Sequence, residues 1–171
     1  SGDHRDLHSF PTRRSSDLVE LGYNYRLDEI RSAIGREQLK KLPSGNARRE
    51  VLVNRYREAF TGSAQSLGLP FAKKRGLSSE HIFPVLLPEG VDKEAFRELL
   101  KQDGIQTSFH YPPVHTFEIY RDPLQKFEET LWMTENVSKR QVTLPLFPTM
   151  TDDQQGWVIE SVIKALRRLG A

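Results

Sequence analysis

The chain has 171 residues, enough for one domain with a core of its own, and 25 basic against 23 acidic residues leave a formal charge of only +2. Neither sign gathers into a long block, so nucleic acid is not an implied partner, and no run is apolar enough to cross a bilayer. There is no cysteine, which excludes a disulfide framework and a thiolate metal site and makes the reducing cytoplasm the default compartment. With glycine counted in and tyrosine left out, apolar residues make up about 40% of the chain, a little under the globular range. A fragment of a larger fold has that composition.

Residues 1–18, SGDHRDLHSFPTRRSSDL, mix charge, serine and proline without periodicity and read as a disordered leader. Gly2 to Leu18 also resembles, residue for residue, the translation of a common high-throughput sequencing adapter. The authentic protein is therefore expected to begin near Val19, and His4 and His8 are discounted as ligands or bases.

From Val19 onward the pattern is mostly helical. Leu27, Ile30, Ala33 and Ile34 share a helical face, with Asp28 and Glu29 in the first turn, where the helix dipole favours negative charge. Pro43 and Gly45 are expected to break this helix. A second one is expected from Asn46, as N-cap, to Phe60, burying Leu52, Tyr56, Ala59 and Phe60. Residues 61–79 read as a connection with a short edge strand near Leu67 to Ala72.

His81 to Pro88 reads as a strand at an edge or bulge, because Pro84 cannot donate to a ladder. Asp92 can cap a helix burying Ala95, Phe96, Leu99 and Leu100, which Gly104 ends. Ile105 to Tyr111 alternates as a strand stopped by Pro112 and Pro113, Glu129 to Lys139 reads as a helix, and Val142 to Phe147 as another strand. Thr151 can cap a last helix with Val158, Val162, Ile163 and Leu166 inward. The sum is an α+β fold, a short and mostly antiparallel sheet covered by helices. The expected organisation is the leader 1–18, a helical segment 19–62, and a small α+β domain 63–171.

Catalytic signatures are sparse. There is no phosphate-cradling glycine loop, no Cys–His pair and no metal-spaced His/Glu helix. The densest cluster is His110-Tyr111-Pro112-Pro113-Val114-His115, where two imidazoles and a phenol on a proline-stiffened loop could hold phosphate or sugar hydroxyls. The bland alternative, a loop with one solvated histidine and a packed Tyr111, is favoured by the residues alone. A two-histidine metal site is weaker still, since only Glu118 offers a nearby carboxylate. Asn24 and Arg26, before the first helix, could hold an anion or serve an ordinary capping turn.

The blocks GYNYRLDEIRSAIGREQLKKL, DGIQTSFHYPPVHTFEIYR and TENVSKRQVTLPLFPTMTDDQQGWVIESVIKAL resemble, in order and spacing, the C-terminal part of the DegT/DnrJ/EryC1/StrS aminotransferases. The resemblance implies the small domain of a fold-type-I, pyridoxal-phosphate-dependent transferase that moves an amino group, typically from glutamate, onto a nucleotide-linked keto sugar. In that chemistry a lysine forms the Schiff base and an acidic residue holds the pyridinium nitrogen. Both belong to the large N-terminal domain, so no lysine here, from Lys40 to Lys164, is expected to play that part, and the chain alone is expected to be inactive.

By motif, Asn24 matches the asparagine that reaches the cofactor phosphate of the other subunit of a homodimer. Arg26 matches a neighbour that meets the substrate's phosphates, and His110, Tyr111 and His115 match the block at the substrate mouth. The resemblance further implies a role in polysaccharide or antibiotic-sugar biosynthesis. A sugar dehydratase of the same family, and a non-catalytic α+β binding module, stand as alternatives.

Overall fold

The computed structural model describes residues 25–71, 73, 76–120 and 131–171. The leader expected at 1–18, Asn24, and the start expected for a helix at Glu129 lie outside the described residues. Contacts divide the chain into two compact units, 1–40 and 41–171.

Helix α1 runs over Glu29–Ser63. Asp28 stands before it, not inside its first turn, and its Oδ1 accepts the N–H of Arg31 at 2.8 Å, as an N-cap carboxylate does. Leu27, Ile30 and Ile34, three of the four residues that share the helical face read from the sequence, are 69%, 74% and 57% exposed.

The expected break at Pro43 and Gly45 does not occur: α1 passes through both, and Asn46 lies within it. A proline in a helix interior removes one backbone bond and crowds the preceding turn, at a cost of about 3 kcal/mol. Anchoring in the second unit offsets that cost. Arg48 donates to the Met150 carbonyl at 2.8 Å and to Asp152 Oδ1 at 2.7 Å, and the Ser44 hydroxyl bonds the Lys41 carbonyl at 3.0 Å. Asn46 accepts from Arg49 instead of capping.

Beyond the proline, the expected face is buried at Leu52, Tyr56 and Phe60 and only partly at Ala59, and Val53 joins it. Leu52, Val53, Tyr56 and Phe60 are at most 1% exposed. The Tyr56 ring stacks on Phe83 at 4.8 Å between centroids and its hydroxyl donates to the Pro145 carbonyl at 3.0 Å. Burial keeps that phenol neutral, raising its pKa far above the usual value.

Of the edge strand expected near Leu67 to Ala72, whose last residue lies outside the described ones, the described residues show one bridge, in which Gly68 and Leu86 exchange backbone bonds of 2.7 and 2.8 Å. A Cβ on Gly68 would lie 3.0 Å from Leu86 Cβ, so any larger residue would have to push the Leu86 side chain aside. Strand β1, Phe83–Leu86, pairs antiparallel with β2, Gln141–Leu144, placing Pro84 opposite Thr143. Helix α2, Lys93–Gln102, is capped by Asp92, whose carboxylate accepts from the N–H groups of Glu94 and Ala95. It buries Phe96 and Leu100 and ends before Gly104, which takes φ +77°.

The strand expected over Ile105 to Tyr111 also contracts to a single bridge, Ser108 with Thr143, with bonds of 3.1 and 2.8 Å. The two prolines after Tyr111 cannot extend a ladder, so the chain leaves β2 after one exchange. A 3-10 turn at Val114–Thr116 follows. Helix α3, Trp132–Arg140, runs directly into β2, which stops before Pro145 rather than reaching Phe147. Helix α4, Asp152–Arg168, opens on a full capping box between Thr151 and Gln154. Its Val158, Val162 and Leu166 meet the second half of α1, α2 and the inner strand residues in one apolar core. The α+β architecture with an antiparallel sheet is as expected.

Candidate functional site

The bridge between Ser108 and Thr143 delivers the chain to His110 at the margin of the sheet. There the His110 backbone N–H donates to Gln141 Oε1 at 3.2 Å, and the His110 Nδ1 lies 3.0 Å from Thr143 Oγ1 and 3.4 Å from Ser108 Oγ. Gln141 Nε2 in turn donates to Thr143 Oγ1 at 2.7 Å. Gln141 and Thr143 are buried, 6% and 4% exposed, so this polar cluster is built into β2. Sequence reasoning missed both residues.

Tyr111 meets the His110 ring edge to face, at 4.8 Å between centroids, and is otherwise 75% exposed. His110 lines two small clefts. One, of about 290 Å³, lies between it, Tyr111, Pro113 and the α3 residues Met133 and Val137; the other, of about 250 Å³, has His81, Ser108 and Thr143 in its wall. Neither wall contains a lysine or a carboxylate. A larger hollow of about 1000 Å³ is lined by Arg57, Phe71, Leu77 and the stretch from His81 to Pro84, and includes none of the expected site residues.

His115 sits in the 3-10 turn with its side chain 10% exposed, and its Nε2 lies 3.3 Å from Glu135 Oε1 on α3. The nearby carboxylate is thus Glu135, not the Glu118 suggested by sequence proximity. No group of three or more potential metal ligands occurs among the described residues. Among the expected site residues, then, His110 and Tyr111 are in direct contact, while His115 is held by α3. Arg26 lies exposed in the first unit, just ahead of α1, and Asn24 is outside the described residues.

Lys93 shows why a lysine near this site need not be reactive. Its ammonium donates to the Ser138 carbonyl at 3.0 Å and stands 4.3 Å from the centre of the Phe109 ring, beside His110 in sequence. Burial lowers its pKa, but the amine is committed to these partners.

The fold has counterparts among known proteins. The chain is 32% identical over 151 residues to the protein MJ1066 of Methanocaldococcus jannaschii, an alignment covering 86% of this chain and 39% of that protein. Its fold matches DesV of S. venezuelae at a TM-score of 0.77 with 30% identity, covering 92% of this chain and 41% of that one. It also matches PseC of Helicobacter pylori, an aminotransferase involved in the biosynthesis of pseudoaminic acid, at 0.77 and 26%, covering 89% and 41%. The chain therefore spans about two fifths of the proteins it matches. Structures with pyridoxal and pyridoxamine phosphate exist among these neighbours, and pyridoxal phosphate is the family's cofactor. The family model for DegT/DnrJ/EryC1/StrS aminotransferases matches residues 5–163, opening inside the stretch expected to be a leader and continuing through the first two sequence blocks and most of the third. With that match over most of its length, and with the fold in agreement, the chain belongs to the DegT/DnrJ/EryC1/StrS aminotransferase family.

Proposed function

We propose that this chain is the C-terminal part of a pyridoxal-phosphate-dependent aminotransferase acting on a nucleotide-linked keto sugar, with glutamate as amino donor, and that it contributes half of a site completed by a large domain and a second subunit. Family membership supports the reaction class. The observation that carries the site is His110, fixed through both its backbone and its Nδ1 to β2 at the mouth of two clefts.

When bound, the cofactor supplies an electron sink for amino-group exchange. The clefts beside His110 do not fit the whole of that group: they offer neither a lysine to anchor it nor a carboxylate for its pyridinium nitrogen. The part left to the described residues is to bind and orient substrate. His110 and the exposed Tyr111 hydroxyl present polar groups suited to sugar hydroxyls or phosphate oxygens, and the proline-stiffened loop keeps the ordering cost of binding low. His115, tied to Glu135, holds the loop against α3. Asn24 and Arg26 take the cofactor phosphate of the partner subunit and the substrate's phosphates in this reading. The assembled enzyme is a cytoplasmic homodimer.

Titration with a UDP- or dTDP-linked hexose, followed by NMR, tests the substrate reading. Shifts confined to His110, Tyr111, His115 and their neighbours are expected; saturable shifts confined to the larger hollow beside Arg57 and His81 instead would refute it.

A further inference from the structure

The hydrogen bonds around His110 form a chain whose direction can be worked out from one end. The His110 backbone N–H can only donate, so the Gln141 atom it meets at 3.2 Å is the amide oxygen, Oε1. The other end of that amide, Nε2, is then a donor, and its target at 2.7 Å is Thr143 Oγ1. Having accepted this bond, the Thr143 hydroxyl still has its own proton to place. Thr143 is only 4% exposed, and among the described residues the acceptor within reach is His110 Nδ1 at 3.0 Å. If His110 Nδ1 carried a proton, two donors would converge on Oγ1 and the buried hydroxyl proton would have no acceptor, a loss that costs about 1–3 kcal/mol. Ser108 Oγ, at 3.4 Å from Nδ1, is too distant to reverse that balance.

We infer that Gln141 and Thr143 are positioning residues that lock neutral His110 in the tautomer with its proton on Nε2. His110 thereby offers its clefts a hydrogen-bond donor that faces acceptor oxygens, those of a phosphate or carbonyl, rather than hydroxyl protons. Nε2 itself bonds no other described residue, so the donor is available to a ligand. The relay runs through two buried β2 side chains, and it makes the choice of tautomer a property of the strand instead of the loop. The functional value of that donor rests on the proposed substrate reading; the tautomer does not.

Nitrogen-15 NMR of the histidine rings separates the two. At about pH 9, where an ordinary imidazole is neutral, two- and three-bond couplings to ring protons distinguish a protonated Nε2 from a protonated Nδ1. The wild-type chain is expected to show His110 with the proton on Nε2. In Gln141→Glu, the carboxylate still accepts the His110 N–H but cannot donate. The Thr143 hydroxyl then turns to it, Oγ1 becomes free to accept, and the His110 proton is expected to move to Nδ1. Thr143→Ser keeps the hydroxyl and is expected to keep the wild-type tautomer, which controls for disturbance of β2. A wild-type ring protonated on Nδ1, or a folded Gln141→Glu variant that retains the Nε2 proton, would overturn the inference. Failure of a nucleotide sugar to shift these signals would count against the substrate reading alone.

Discussion

The two ends of α1 carry the same kind of pattern and meet opposite fates. Ile30 and Ile34 repeat at helical spacing as clearly as Tyr56 and Phe60 do, yet the first pair is 74% and 57% exposed and the second fully buried. Their ion pairs differ in the same way. Arg31 with Asp28 and Lys40 with Glu37 are local, three residues apart, whereas Arg48 in the later part of the helix reaches Asp152, 104 residues on. Periodicity states that a face requires cover; it does not state that the same chain supplies it. The bare face of the first unit is what a protein spanning two fifths of its relatives' length leads one to expect, and in the proposed enzyme the large domain or the second subunit covers it.

The largest effect that probes this difference is a pair of truncations in the chain by itself. Phe60→Ala removes a ring packed near Phe83 and Tyr56 and is expected to cost about 3–5 kcal/mol. Ile34→Ala is expected to change stability by no more than about 0.5 kcal/mol. Urea unfolding of both variants checks this, and a large loss from Ile34→Ala would mean that the first-unit face is covered after all.

A smaller effect separates the local from the long-range ion pairs. The hydrogen bond and charge of Arg48 hold the Asp152 carboxyl below its ordinary pKa. A depressed folded-state pKa gives stabilisation that is present above the unfolded value and is lost as pH falls through the folded one. Thermal melts between about pH 6 and pH 2 are therefore expected to show an acid-side loss that Asp152→Asn shares less. Asp152 is solvent-exposed, so the difference should be modest and should shrink with salt. Identical acid profiles for the two proteins would remove the Arg48–Asp152 pair as an anchor and leave only the bond from Arg48 to the Met150 carbonyl.

What could be read in the sequence follows the same division. Asp92 and Thr151 were legible as caps because an N-cap acts on backbone groups within three residues. The inward faces of α2 and α4 were legible from spacing alone. Pro43 misled because its local cost is outweighed by contacts a hundred residues away, which no window around it contains. The strand expected at Ile105 to Tyr111 misled because alternation describes a side-chain pattern, while a ladder requires a neighbour with free backbone groups.

The candidate site was half legible. His110, Tyr111 and His115 stood out as chemistry-bearing residues in a dense block, but their partners did not. Gln141 and Thr143 lie 31 and 33 residues beyond His110, and Glu135 lies 20 beyond His115. The useful signal was polar residues at buried positions of a short strand: Gln141 and Thr143 interrupt an otherwise apolar β2, and a buried polar side chain requires a partner.

The central claim is that this chain carries part of a substrate site and no anchor for the cofactor. The most direct measurement is to incubate the purified chain with pyridoxal phosphate, reduce with borohydride, remove the excess and map any labelled lysine by mass spectrometry. The account predicts sparse labelling spread over exposed lysines, with Lys93 protected by Ser138 and the Phe109 ring. A stoichiometric adduct at one lysine, Lys93 included, would contradict it and would place a complete cofactor site inside these 171 residues.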